Sequence, residues 1–267
     1  MAWILGCLVF LIALYLYLIA PNRRGKDVSA LLGVKYAHRG LFDNENGIPE
    51  NSILAFQRAI EAGHGIELDV QLTRDGQLAV FHDADLKRMC GEEARLCDLS
   101  YKELSQYTLL KTQERIPHFD EVLTLVAGRV PLIVEVKHFG GVNITSRKAH
   151  EALSLYNGPC CVESFHPLAM RWFKKNAPQV IRGQLASGSL DGPFWQRLGL
   201  AYLLTNALSR PDFIAYDVSS DKNLSMKLMR AVFRPLLVAW TVRTKAEQAR
   251  AAQMYDLQIF EGHTPER

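Results

Sequence analysis

The segment GIELDVQLTRDGQLAVFHD, residues 65–83, alternates like a β-hairpin around an Asp-Gly turn, yet its polar positions include Glu67, Asp69 and His82. A two-residue turn at Asp75-Gly76 sets Asp69 across from His82. A four-residue turn over Thr73–Gly76 sets Glu67 across from it instead. Either register puts the three side chains on one face, because strand side chains alternate with period two. Two carboxylates on a shared face repel each other unless a cation lies between them, and a hard divalent ion bound through oxygens is the economical solution. An ion-paired sheet surface is the competing reading of this segment alone.

Other apolar runs end in the same kind of residue. YAHRG closes with His38 and Arg39, and VEVKH places Glu135 and Lys137 on one face and Val134 and Val136 on the other. Trp240 and Glu261 stand near the ends of the last two runs. Charge inside an apolar strand is costly unless it is paired. The acids Glu67, Asp69 and Glu135 suit a metal, and Arg39 and Lys137 suit a phosphate, as a bidentate fork and a point charge. His38 and His82 titrate near neutrality and suit a general base and a general acid. That equipment cleaves a phosphoester.

These residues need a frame that gathers strand ends. Strand-like runs fall at 34–38, 66–72, 131–137, 160–165, 180–185, 213–218, 236–242 and 257–262. Helical patterns fall between most of them, at 51–63 with Asn51 as a candidate N-cap, and at 119–128, 146–156, 167–177, 223–233 and 244–255. Eight alternating units imply a (β/α)8 TIM barrel, whose active sites form at the C-terminal strand ends. A doubly wound sheet would more often carry a glycine-rich phosphate loop after its first strand, and none is present. The run 78–83 has no room for a crossover helix, so it returns antiparallel as a hairpin arm. Residues 84–118 read as an irregular polar insertion, with one short helical piece at YKELSQY, that could cap the mouth.

The barrel region, 34–267, follows a 21–33 linker and an uncharged apolar run over 2–20. That run is long enough for a transmembrane helix. Arg23, Arg24 and Lys26 follow it, whereas a secretory signal has its basic residues in front, so it reads as an uncleaved single-pass anchor over 1–20. The positive-inside rule then keeps the barrel in the cytoplasm. A net charge of +3 is too small to argue for nucleic acid. Five cysteines, two of them adjacent, show no pairing framework and suit a reducing compartment.

In residue type, order and spacing, AHRG, PENS, ELDVQLTRDGQLAVFHD, VEVK, ESF and WTVR resemble the glycerophosphodiester phosphodiesterases. The likeness runs from about 34 to 266. It implies a TIM barrel hydrolysing glycerophosphodiesters to an alcohol and glycerol 3-phosphate. His38 and His82 would be the acid–base pair, and Glu67, Asp69 and Glu135 would hold Mg2+ or Ca2+. Arg39 and Lys137 would hold phosphate. Glu50, from the PEN element, would join the substrate site, with an N-capping role for that element as the bland alternative. Trp240 would line the glycerol side, with a core tryptophan as its alternative. Three features depart from the pattern: Glu261 stands where many members have a Thr-Asp pair before the proline, the segment 40–48 lengthens the gap to PEN, and the anchor is absent from many soluble members. The anchor brings in a lipid-derived glycerophosphodiester as substrate. A lysophospholipase D-like activity, a non-catalytic head-group-binding barrel and an enolising metal-dependent barrel are the competing functions. His138 and His166 lie near the expected mouth without an assigned role.

Overall fold

The computed structural model describes residues 2–22 and 25–265; Arg23 and Arg24 of the basic cluster lie outside the described residues. The strands are β1 (Tyr36–His38), β2 (Gly65–Leu72), β3 (Leu78–Val80), β4 (Leu132–Val136), β5 (Cys160–Ser164), β6 (Arg182–Ala186), β7 (Phe213–Asp217), β8 (Leu236–Val242) and β9 (Leu257–Phe260). All but β3 pair in parallel, and β1 pairs with both β2 and β9, so eight strands close into a TIM barrel. All eight runs anticipated from the sequence are present, with bounds shifted by no more than two residues. β2 is buried along its whole length, as expected of a strand covered on both faces.

The hairpin register differs from both alternatives drawn from the sequence. Val70 faces Val80 and Leu72 faces Leu78, so Thr73 meets Gln77 around a three-residue loop, with Gly76 at φ +77°. The Thr73 hydroxyl bonds the Asp75 carboxylate and receives the Gln77 amide, which stabilises this loop over the two-residue turn. The register set by β3 would put His82 opposite Leu68, across from neither acid. His82 lies past the end of β3 and reaches the site where the chain leaves the ladder.

The helices are α1 (Ala2–Ile19), α2 (Ile53–Glu61), α3 (Lys87–Cys90), α4 (Tyr101–Leu104), α5 (Phe119–Val126), α6 (Val142–Ser154), α7 (Pro167–Asn176), α8 (Phe194–Ala201), α9 (Asn206–Ser209), α10 (Leu224–Leu228) and α11 (Lys245–Ala252). Ser52, not Asn51, caps α2, because its hydroxyl receives the Ala55 amide while Asn51 sits at φ +55° and points elsewhere. The segment 84–118 is less irregular than its sequence suggested. It contains α3 and α4, and Leu86, Met89, Leu96, Leu104, Leu109 and Ile116 close a small core of its own with Phe81. Their uneven spacing follows no helical or strand period. The crossover from β6 to β7, where the sequence pattern named no helix, contains α8 and α9. Phe194, Trp195 and Leu198 of α8 are exposed, which blurs its amphipathic stripe.

Apolar side chains form two shells. Outward residues such as Leu68, Val70, Val134 and Val136 pack against the helices, and inward residues such as Tyr36, Ile133, Phe213 and Ile259 fill the barrel. Gly65 and Gly183 make room for two rings: a Cβ at Gly65 would stand 2.7 Å from the Tyr36 ring, and one at Gly183 would stand 2.1 Å from the Phe213 ring. The N-terminal helix joins this framework at its last turn. Ile19 is buried in the outer core, Asn206 donates to the Ile19 carbonyl at 2.7 Å, and Arg210 donates to the carbonyls of Tyr17 and Ala20. Asn206 and Arg210 thus satisfy carbonyls that a helix end leaves unpaired. Gly183→Ala should lower stability by about 1–3 kcal/mol through overpacking. Chemical unfolding in detergent should show that loss, and Phe213→Leu in the same chain should recover part of it.

Candidate active site

Parallel register sets the site. His38 pairs with Glu67, Asp69 with Glu135, and Glu135 with Glu163, so all five project into the barrel near its C-terminal end. One oxygen from each of Glu67, Asp69 and Glu135 lies within 4.8 Å of the others, and all three residues are buried. That spacing matches the reach of oxygen ligands around Mg2+ or Ca2+, at roughly 2.0–2.6 Å each.

The charge is unbalanced. Burial, then the charges of Asp69, Glu135 and Glu163, hold the Glu67 carboxyl well above its ordinary range. Glu163 is raised by burial and by Glu135. Burial also opposes the charge of Asp69, but Lys137, His82 and Arg39 outweigh it and hold Asp69 well below. The Lys137 ammonium lies 2.8 Å from Asp69 and 2.7 Å from Glu135, and this pair outweighs the burial that would discharge it. The repulsion left on Glu67 is what a divalent cation would relieve, so the donor set fits one.

Arg39, at φ +55°, turns its backbone N–H onto Glu67 Oε2 at 3.1 Å and its guanidinium onto Glu50 at 2.7 Å. Glu50 also takes both terminal nitrogens of Arg88, at 2.7 and 2.8 Å, so it stands between two arginines. Asn51 donates to Asp69 Oδ2 at 2.8 Å. The capping role read for Asn51 in the sequence is thereby replaced by an orienting contact.

Each histidine belongs to a matching relay. His38 Nδ1 hydrogen-bonds Glu261, whose other oxygen is 2.6 Å from Arg243 Nε, and His38 Nε2 lies 3.9 Å from Glu67. His82 Nδ1 lies 2.7 Å from Asp83, whose other oxygen is 2.7 Å from Arg88 Nε. In both, a carboxylate held by an arginine fixes the imidazole and leaves Nε2 to face outward from the pair. Burial lowers the His38 pKa, although Glu261 works against it. His82, Glu135, Lys137, His138 and Phe165 line a mouth cavity of about 510 Å³. His166 stacks on His138 with ring centres 5.3 Å apart. Trp240 meets Phe165 edge-on at 5.3 Å, and its buried indole N–H has no hydrogen-bond partner.

The structure brings the nine residues given a site role in the sequence to one end of the barrel, together with Glu261, whose role the sequence left open, and Asn51 of the PEN element. It adds Asp83, Arg88, Glu163 and Arg243. Asp83, Glu163 and Arg243 lie within the quoted motifs FHD, ESF and WTVR, and their neighbours were the signal. Arg88 had none, because the insertion brings it 38 residues along the chain to Glu50.

Residues 38–257 match the Glycerophosphoryl diester phosphodiesterase family. The chain is 36% identical over 181 residues to a glycerophosphodiester phosphodiesterase of Caldanaerobacter subterraneus subsp. tengcongensis, covering 63% of this chain and 73% of that one. A second glycerophosphodiester phosphodiesterase, from Bacillus altitudinis, is 32% identical over 171 residues, covering 59% and 68%. Among solved structures, an Oleispira antarctica phosphodiesterase in complex with its product sn-glycerol 3-phosphate superposes with a TM-score of 0.73 at 21% identity, over 88% of this chain and 95% of that one.

Burial alone would raise Glu50, but Arg88 and Arg39 bring it from 4.5 down to about 2. The unfolded chain therefore binds more protons between those values, and the stabilisation is complete above pH 4.5 and lost as pH falls through about 2. Glu50→Gln should cost up to about 3 kcal/mol at neutral pH, less because Arg88 is half-exposed. The deficit should shrink across that acid window in denaturant unfolding followed against pH.

Proposed function

This chain belongs to the glycerophosphoryl diester phosphodiesterase family, and we propose that it is a membrane-anchored, metal-dependent member. It would hydrolyse a glycerophosphodiester to an alcohol and sn-glycerol 3-phosphate. The observation that carries this reading is the pair of histidine relays flanking the carboxylate cluster: His38 lies beside Glu67, and His82 lines the mouth cavity with Glu135 and Lys137. Displacement at phosphorus needs a proton taken on one side and delivered on the other.

Glu67, Asp69 and Glu135 are the proposed ligands of Mg2+ or Ca2+. When bound, such an ion would supply Lewis-acid polarisation of the phosphoryl oxygen. Arg39 and Lys137 present two cations at the same end of the barrel for the phosphate. Glu50 is a positioning residue in this reading, because its carboxylate is committed to Arg39 and Arg88. One imidazole Nε2 takes the proton of the nucleophile, water or a substrate hydroxyl, and the other protonates the departing alkoxide. Glu261 and Asp83 hold the respective Nδ1 atoms and stabilise the imidazolium in turn. The unpaired Trp240 N–H and the Phe165–Trp240 contact offer a donor and an apolar wall to the glycerol moiety. The Oleispira antarctica neighbour holds sn-glycerol 3-phosphate, the product this reading assigns to the reaction.

The apolar α1 is long enough to cross a membrane. Its burial of Ile19 in the outer core favours an anchor over a cleaved leader. The basic residues that follow α1 favour a cytoplasmic barrel.

Metal-stripped full-length protein in detergent should release glycerol 3-phosphate from glycerophosphocholine, glycerophosphoethanolamine or glycerophosphoglycerol only after Mg2+ or Ca2+ is restored. His38→Ala and His82→Ala should each lower kcat by about 10²–10⁴. Glu67→Gln should weaken cation binding in calorimetry. A wild-type chain that binds either cation yet turns over none of the three substrates would count against the reading.

A further inference from the structure

We infer that the mouth of the barrel faces a lipid bilayer, and that the exposed face of α8 is a second membrane contact beside α1. The path of α1 along the barrel wall carries the inference. β7 climbs from Phe213 to Asp217, about 13 Å at ~3.3 Å per residue. Just below its start, the Asn22 amide donates to the Pro211 carbonyl at 2.8 Å. Just above its end, at the head of α10, the Tyr15 hydroxyl lies 2.7 Å from Ser225 Oγ. Four helical steps from Tyr15 to Ile19, about 6 Å, the non-helical residues 20–22, at most about 10 Å, and a tyrosine side chain leaning toward the helix N-terminus together span that height. α1 therefore descends antiparallel to the strands, and its earlier part lies on the mouth side. Residues 2–14 are all exposed, about 20 Å of helix whose earlier turns continue toward and past the rim, while Ala13 still borders a cavity on the wall with Val232 and Phe233.

That length alone falls short of a bilayer core of ~30 Å. The docked turns must therefore approach the interface, and the rim comes with them. α8 is on this rim: the carbonyl of Ala201, its last residue, accepts from the Tyr216 hydroxyl at 2.8 Å and from Asn223 at 3.3 Å, both near the C-terminal end of β7. Phe194 is 61% exposed, Trp195 78% and Leu224, at the head of α10, 57%. The Phe194 and Trp195 rings meet edge-to-face at 5.1 Å, leaving an apolar aromatic pair in solvent. Aromatic residues favour the membrane interface, and a short helix with one apolar face lies in its plane. The occupant of α8 is therefore the bilayer that α1 enters, and the phosphate-binding end of the barrel opens onto lipid head groups.

Full-length protein in phosphatidylcholine vesicles tests the orientation directly. The emission difference between wild type and Trp195→Phe should be quenched when the acyl chains are brominated. The second arm rests on the hydrolase reading. Phe194→Ser/Trp195→Ser should hydrolyse lysophosphatidylcholine held in vesicles about tenfold more slowly, while turning over dissolved glycerophosphocholine at the wild-type rate. Trp195 emission indifferent to bromination overturns the inference. If the double variant then also loses self-association, α8 belongs to a second copy of the chain. Equal loss on both substrates overturns it too. Wild-type inactivity on both substrates defeats the hydrolase reading instead, and leaves the quenching result to decide the orientation.

Discussion

Buried negative charge at one end of the barrel governs this molecule. Glu67, Asp69, Glu135 and Glu163 are all buried, and each is held in place by strand register rather than by a flexible loop. Two unit charges 4 Å apart interact by about 4 kcal/mol at an effective dielectric of 20. Lys137 and Arg39 offset part of that repulsion, and Asn51 satisfies Asp69 with a neutral donor. What stays unbalanced, chiefly on Glu67 and Glu163, is the charge that the proposed cation would offset. A closed parallel barrel suits this arrangement, because it points inward side chains from neighbouring strands at one small volume while the outer faces are covered by helices.

The histidines are controlled from outside that volume. Glu261 and Asp83 each engage a histidine Nδ1 and lean on an arginine, Arg243 or Arg88. Arg88 also grips Glu50, which grips Arg39. The segment 84–118 thus extends the electrostatic network of the mouth instead of only covering it. Its small apolar core gives Arg88 a fixed base, so a surface arginine can act as a structural counter-ion. A buried acid with two arginines is stabilised in its charged form, whereas removing one partner strands the other charge.

The bottom of the barrel and its lateral wall serve attachment. Tyr36 bonds the Leu31 carbonyl, so the linker closes the floor as it enters β1. Lys26 lies 2.7 Å from Asp212 and also donates to the Val180 carbonyl, which pins the chain beneath β6 and β7. From there α1 rises along the wall. An apolar helix fixed at several points of a rigid barrel transmits an orientation, which a flexible tether would not.

Much of this was determined by the sequence itself. Strand and helix alternation specified the barrel, because each run has its own period and its own stop signals. The motif residues His38, Glu67, Asp69, His82, Glu135 and Lys137 were recognisable because charge at the end of an apolar strand has few inexpensive explanations. Tertiary structure decided what local pattern cannot encode. The hairpin register came from Thr73 hydroxyl bonds that favour a three-residue loop. Asn51 left the helix cap to Ser52 because a buried Asp69 needed a donor. Arg88 gained Glu50 across 38 residues through the fold of the insertion, and Glu261 gained His38 across 223 residues through closure of the barrel, contacts that no local pattern encodes.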